Sequence, residues 1–253
     1  MLTLLSPAKT MTGISNTKAP IATSPIFHAE ANEIALNMAQ FSKEELEKKL
    51  KLSPKLAIES YNRYQAFHSP ELVPLQSILA YTGVVFKHID PTDFTIDDFL
   101  FAQDHVRFVS ICYGLLRPLD GIKPYRMEYD IRLPELGTGN MYAYWREIQT
   151  DRLINQVKKA GGILLNLASM DVQPAFDWKK VEESVRVITP DFKVMKNGKA
   201  KTVVIYAKMA RGKMTRHIIK NRINNPEELK NFSWEGYLYT EEASDLNHWC
   251  FLQ

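Results

Sequence analysis

Phe192-Lys193-Val194-Met195-Lys196-Asn197-Gly198-Lys199-Ala200-Lys201-Thr202-Val203-Val204-Ile205-Tyr206 carries the strongest short hairpin signal in the chain. Asn-Gly supplies two residues that accept a left-handed backbone, the requirement of a two-residue hairpin turn. The flanking β-branched and aromatic residues predict strands at 192–195 and 201–206, joined as an antiparallel pair. A hairpin this late in a chain whose first half reads mainly as helix argues for the α+β class.

Working outward, 162–167 and 185–189 read as buried strands, and 234–239 with 248–252 as a second antiparallel pair. Residues 1–5 read as a short buried strand stopped by Ser6-Pro7. Residues 11–25, rich in Thr, Ser, Pro and Gly, read as loop. Ala31, Ile34, Ala35, Met38 and Ala39 keep the spacing of one helical face and predict a helix over 29–40. Ser42 followed three residues later by Glu45 is a capping box opening a second helix. Pro54 after Ser53 suits the first turn of a third, running to about 67. Further helices are expected at 95–104, 141–160 and 207–224. No internal repeat or flexible linker interrupts the pattern. The expectation is a single α+β domain over 1–253, one compact body of mixed and antiparallel strands elaborated by helices.

At 253 residues, 45% hydrophobic and 24% charged, the chain has an ordinary globular profile. That excludes collagen-like, low-complexity and disordered classes. A chain of this size can bury roughly three quarters of its unfolded surface without staples. Two cysteines, Cys112 and Cys250, exclude a disulfide framework and any four-cysteine metal site. The opening residues lack the basic and apolar regions of a signal peptide, and no apolar run is long enough for a membrane helix. The expected compartment is the cytoplasm, with no membrane partner.

The net charge of +3 hides an uneven distribution. Residues 193–222 hold ten basic side chains and no Asp or Glu. Upstream, Asp90, Asp93, Asp97, Asp98 and Asp104 form an acidic cluster. Such asymmetry creates a local field, either that of a solvated basic face or the footprint of a polyanion, with phosphates as the expected anions. On a helix through 207–224, Ala207, Ala210, Met214 and Ile218 make an apolar stripe. Lys213, Arg216 and Lys220 fall roughly opposite, and Lys208, Arg211 and Arg222 border it.

No phosphate-cradling loop, dinucleotide fingerprint, zinc-hydrolase motif or nucleophile elbow is present. Three other segments carry chemistry. Ser6-Pro7-Ala8-Lys9-Thr10 leaves the first strand with a hydroxyl, a turn and a cation, either a phosphate seat or a plain strand end. Tyr113-Gly114-Leu115-Leu116-Arg117-Pro118-Leu119-Asp120, continuing to Pro124-Tyr125-Arg126-Met127-Glu128, gathers two arginines, aromatic rings and two carboxylates on a stiffened loop. Arginines there either fork onto phosphates or hold the loop through internal ion pairs. The turn Lys51-Leu52-Ser53 between two short helices resembles a helix-hairpin-helix element over about 42–67, with Lys51 and Ser53 where that motif normally carries glycines.

Taken together and in order, Leu4-Leu5-Ser6-Pro7-Ala8-Lys9-Thr10, the 113–120 and 124–128 runs, Asn166-Leu167-Ala168-Ser169, Tyr206-Ala207-Lys208-Met209-Ala210-Arg211-Gly212 and Glu235-Gly236-Tyr237 resemble the YaaA family of bacterial peroxide-stress proteins. The resemblance spans nearly the whole chain. It implies a cytoplasmic protein of the hydrogen peroxide response that limits oxidative damage and influences free iron. It also implies duplex DNA binding through a basic cleft and a helix-hairpin-helix element, on a single α+β body. Where family members follow Asn-Leu-Ala-Ser with an acid and an aromatic, this chain has Met170-Asp171-Val172.

The resulting expectation is a protein that binds double-stranded or structured DNA, without a catalytic residue, metal or cofactor of its own. Its contacts are Ser6, Lys9, Lys51, Ser53, Lys55, Arg117, Tyr125, Arg126, Lys208, Arg211, Lys213 and Arg216. The alternative is an enzyme on nucleic acid or a phosphorylated small molecule. In that reading Lys9, Asp120, Arg126 and Glu128 converge in the same cleft.

Overall fold

The computed structural model describes residues 1–137 and 139–253. In chain order the elements are β1 (Leu2–Leu5), α1 (His28–Ala39), α2 (Lys43–Leu50), α3 (Pro54–Ala66), β2 (Leu75–Gln76), α4 (Ser77–Ala80), α5 (Val84–Ile89), α6 (Ile96–His105), β3 (Val106–Ser110), β4 (Gly114–Leu116) and β5 (Gly121–Ile122). The second half adds α7 (Met141–Lys159), β6 (Ile163–Asn166), α8 (Trp178–Ser184), β7 (Arg186–Lys196), β8 (Lys199–Lys201), α9 (Val204–Lys220), β9 (Leu238–Thr240) and β10 (His248–Leu252).

One eight-stranded mixed sheet runs β4-β3-β1-β6-β7-β10-β9, with β8 against β7. The ladders β1–β3, β1–β6, β6–β7 and β7–β10 are parallel. Antiparallel pairs close both margins, β3–β4 and β9–β10, and β7–β8 forms the hairpin. Every residue of β1 and β3 is buried, as expected of strands covered on both faces. Thr3, Arg107 and Ser110 are the polar exceptions in this layer. Arg107 is accommodated because Gln156 and the carbonyls of Gln103 and Val106 accept from its guanidinium.

The hairpin forms about Asn197 and Gly198, at φ 53° and 72°. Its second arm is shorter than the sequence predicts. Val204 to Tyr206, expected as strand, are instead the first turn of α9. Those three side chains are exposed, so no sheet face rewards their β propensity. Ala207, Ala210, Met214 and Ile218 are buried, and that burial extends the helix backward.

Helices α2 and α3 begin where their caps place them. Ser42 and Glu45 complete a capping box at α2, and Ser53 accepts from the Leu56 N–H at α3. Lys51 closes α2 in the left-handed region, φ 52°, a conformation that costs a non-glycine residue roughly 1–2 kcal/mol. Residues 42–67 are therefore two helices and a three-residue turn, here without the glycines of the DNA-binding hairpin. Helix α9 packs on α5 at Gly212, where an added Cβ would stand 2.3 Å from the Val85 carbonyl oxygen. No helix among the described residues is long and apolar enough to cross a membrane.

Candidate functional site

The chain leaves β1 for β3 on one side of it and returns to β6 on the other. Carboxyl-end loops diverge at such a reversal, and ligand crevices of open α/β sheets form there. Here the segments after β1 (from Ser6), after β3 (Ile111) and after β6 (Leu167 to Val172) open onto one cleft of about 850 Å³. Gly83 to Phe86, Tyr125 to Asp130, Tyr142 and the start of α9 complete its walls.

At the floor, the Ser6 hydroxyl accepts from the Ser169 N–H at 2.8 Å and lies 3.0 Å from the Ser169 hydroxyl. It thereby ties the exit of β1 to the exit of β6. Lys9 donates to both oxygens of Glu128, at 2.7 and 2.8 Å. Arg126 donates through Nη1 to the Lys9 carbonyl at 3.2 Å, and its Nη2 lies 3.9 Å from Glu128. Arg211 enters from α9, with Lys208 exposed one turn earlier. The Nε atoms of Arg126 and Arg211 are both buried and find no acceptor among the described residues. Burial lowers the pKa of Arg211, with Asp191 acting in the opposite direction.

Tyr125 borders the cleft, but its hydroxyl faces Tyr81 at 2.9 Å and Ser110 at 2.8 Å, and burial pushes its pKa up to about 12. The aromatic pair in this wall is Tyr129 with Tyr142, centroids 4.4 Å apart and 10° from parallel. Three carboxylates, Glu128, Asp130 and Asp171, share the lining with the four cations. The surface is thus mixed in charge rather than uniformly basic.

Of the twelve residues expected to act together, Ser6, Lys9, Tyr125, Arg126, Lys208 and Arg211 line this cleft. Lys51 reaches Asp130 on its wall at 3.1 Å, which sets the α2–α3 turn beside it. Ser53 spends its hydroxyl capping α3, and Lys55 is exposed in the first turn of that helix. Lys213 is half-buried on α9. Two arginines are held elsewhere. Arg117 grips the fully buried Asp120 at 2.8 Å and donates to the Ser24 carbonyl. Arg216 donates to Asp93 at 2.6 Å and to the carbonyls of Ile89 and Asp90.

The convergence of Lys9, Asp120, Arg126 and Glu128 is therefore corrected. Asp120 is withdrawn beneath Arg117 and accepts from Thr23, while the other three do meet. The basic 193–222 segment is likewise part-neutralised by the upstream acids. Asp98 bonds Lys220 at 3.1 Å and Arg222 at 2.6 Å. Desolvation raises the Asp98 pKa, but Thr95, Arg222 and Lys220 outweigh it and hold the carboxyl well below its usual range. Sequence reading missed Tyr129, Tyr142, Asp130 and Asp171. Tyr129 and Asp130 continue the 124–128 run directly, and that continuity was the available signal. Among the described residues no three metal-ligating side chains are grouped.

A mixed α/β body with an arginine-bearing cleft of mixed polarity at the carboxyl ends of its parallel strands is the class this structure defines. The family model described as peroxide stress protein YaaA matches residues 1–243. A UPF0246 protein of Parabacteroides distasonis is 65% identical over 253 residues, covering both chains fully. UPF0246 proteins of Bacteroides fragilis and Crocosphaera subtropica are 58% identical over 251 residues and 39% over 254, each covering at least 98% of both chains. The chain belongs to the YaaA (UPF0246) family of peroxide stress proteins.

Proposed function

We propose that this protein serves the oxidative stress response in the cytoplasm by binding DNA, with the phosphate backbone held at the cleft and along the α2–α3 turn. The observation that carries this reading is the pair of unpartnered guanidinium Nε atoms of Arg126 and Arg211. A buried donor left without an acceptor costs about 1–3 kcal/mol, and more when charged. A phosphate supplies the missing acceptors in fork geometry. Arg117, Arg216 and Arg222, by contrast, already hold Asp partners.

Lys55, Lys208 and Arg211 hold no ion pair among the described residues, and Lys9, Lys51 and Arg126, paired with Glu128 or Asp130 at the cleft, exchange those partners for phosphate. Backbone contacts fix register without reading sequence, so binding is indifferent to base order. A binding titration against salt is the test. Six neutralised phosphates give a log–log slope near −5. A flat profile removes the DNA reading. The enzymatic alternative draws support from the Lys9–Glu128 contact, and DNA products that vanish in Lys9→Ala would favour it.

A further inference from the structure

We infer that the cleft is a receptacle for one unstacked nucleotide of the bound DNA, with the duplex lying across its mouth. This rests on the DNA-binding reading and narrows it to a single structural class of substrate.

Size comes first. A cavity of about 850 Å³ falls within the range of small-molecule sites. That volume is of the order that encloses one extruded nucleotide and is small against a duplex segment, whose major groove alone is ~12 Å wide.

Chemistry comes second. Buried Phe86, Met127 and Val172 give the cleft an apolar wall suited to the faces of a base. Tyr129 is only 7% exposed, it lines the cleft, and its hydroxyl has no partner among the described residues. An orphaned phenol suits the polar edge of a base, which can donate or accept. The unpartnered Nε atoms of Arg126 and Arg211 suit the attached phosphates. Together these provide for a planar apolar face, a hydrogen-bonding edge and an anion, which are the three parts of a nucleotide. A sugar phosphate would leave the apolar wall unused, and a bare phosphate would leave both the wall and Tyr129 unused.

Extrusion costs least where the base is already unpaired, so the site discriminates by DNA structure rather than sequence. The test uses the full chain and two duplexes with central 2-aminopurine, one fully paired and one with that nucleotide unpaired. Free deoxyadenosine monophosphate serves as competitor. The unpaired duplex is expected to bind roughly tenfold tighter, with a rise in 2-aminopurine fluorescence confined to that complex. Val204 stands on the rim and is 65% exposed, so Val204→Trp adds bulk without entering the core. It brings the two affinities together, and Tyr129→Phe reduces the preference while keeping the ring. Equal affinities with unchanged fluorescence overturn this inference and leave DNA binding standing. Failure to bind either duplex overturns both. Displacement of both duplexes alike by the free monophosphate assigns the cleft to a free nucleotide and overturns the extruded one.

Discussion

Arg211 and Arg216 lie five positions apart on α9, and substituting each with Gln separates a binding arginine from a structural one. With six cations on phosphate, the salt slope is about −5.4. Losing the Arg211 contact removes roughly 0.9 from it, and at 0.15 M salt that counterion is worth about fivefold in affinity. The stability effect has the opposite sign from that of a structural arginine. Arg211 carries a buried Nε without an acceptor, and burial already disfavours its charged form. Arg211→Gln therefore leaves the melting temperature unchanged or raises it. Arg216 is committed to Asp93 and two carbonyls, and its guanidinium lies 5.6 Å from the Phe94 ring centre. Arg216→Gln lowers the melting temperature and leaves the salt slope in place. Fluorescence anisotropy from 50 to 200 mM salt, alongside calorimetry, reads both quantities. Equal loss of affinity in the two variants, or none in Arg211→Gln, refutes the assignment of roles.

Three further outcomes follow from the interior. Asp98 is 3% exposed and bonded to Lys220 and Arg222, so Asp98→Asn costs about 2 kcal/mol after allowance for its half-exposed partners, read by urea denaturation. Because its folded pKa is depressed, its contribution is complete above the unfolded value near 3.9 and is lost as pH falls toward the folded one. The Asp98→Asn deficit should accordingly shrink below about pH 4. Gly212→Ala gains about 1 kcal/mol in helix propensity. Its Cβ, however, meets a backbone oxygen at 2.3 Å that has no side-chain rotamer to escape into, so the net change is destabilising, and a raised melting temperature contradicts the close α5–α9 contact. Burial raises the pKa of both Cys112 and Cys250, so neither reacts with a thiol dye until the protein unfolds. Stoichiometric labelling of the native protein would show one of them to be accessible.

Local signals in the sequence were enough to place most helices. Caps and apolar spacing located α1 through α3, and α6 and α7 fall within a residue or two of the ranges expected for them. Asn197-Gly198 located the hairpin for the same reason, since its conformation is decided by the turn residues themselves. Where the outcome depended on distant partners, reading failed. β3 is not among the expected strands because Arg107 breaks its apolar run, and that arginine is buried only because Gln156, 49 positions away, accepts from it. Val204 to Tyr206 looked like strand because nothing local reports that β8 ends at the sheet margin. The site divides along the same line. Ser6, Lys9 and Arg126 were identifiable as a hydroxyl and cations on loops, and Lys208 and Arg211 as cations bordering the apolar stripe of a basic helix. That Arg216 would be claimed by Asp93, 123 residues upstream, depended on how α9 docks against α5.

Strand β7 has a mechanical consequence. Its eleven residues pair in turn with β6 (Arg186 to Ile188), β10 (Thr189 to Lys193) and β8 (Val194 to Lys196). The same strand thus braces β6, whose exit carries Ser169, and leads through β8 into the helix carrying Arg211. Two walls of the cleft, the loop after β6 and the start of α9, are therefore joined through one continuous strand. The spacing of these two walls is set by the sheet, and fitting a ligand between them falls to long side chains such as Lys208 and Arg211.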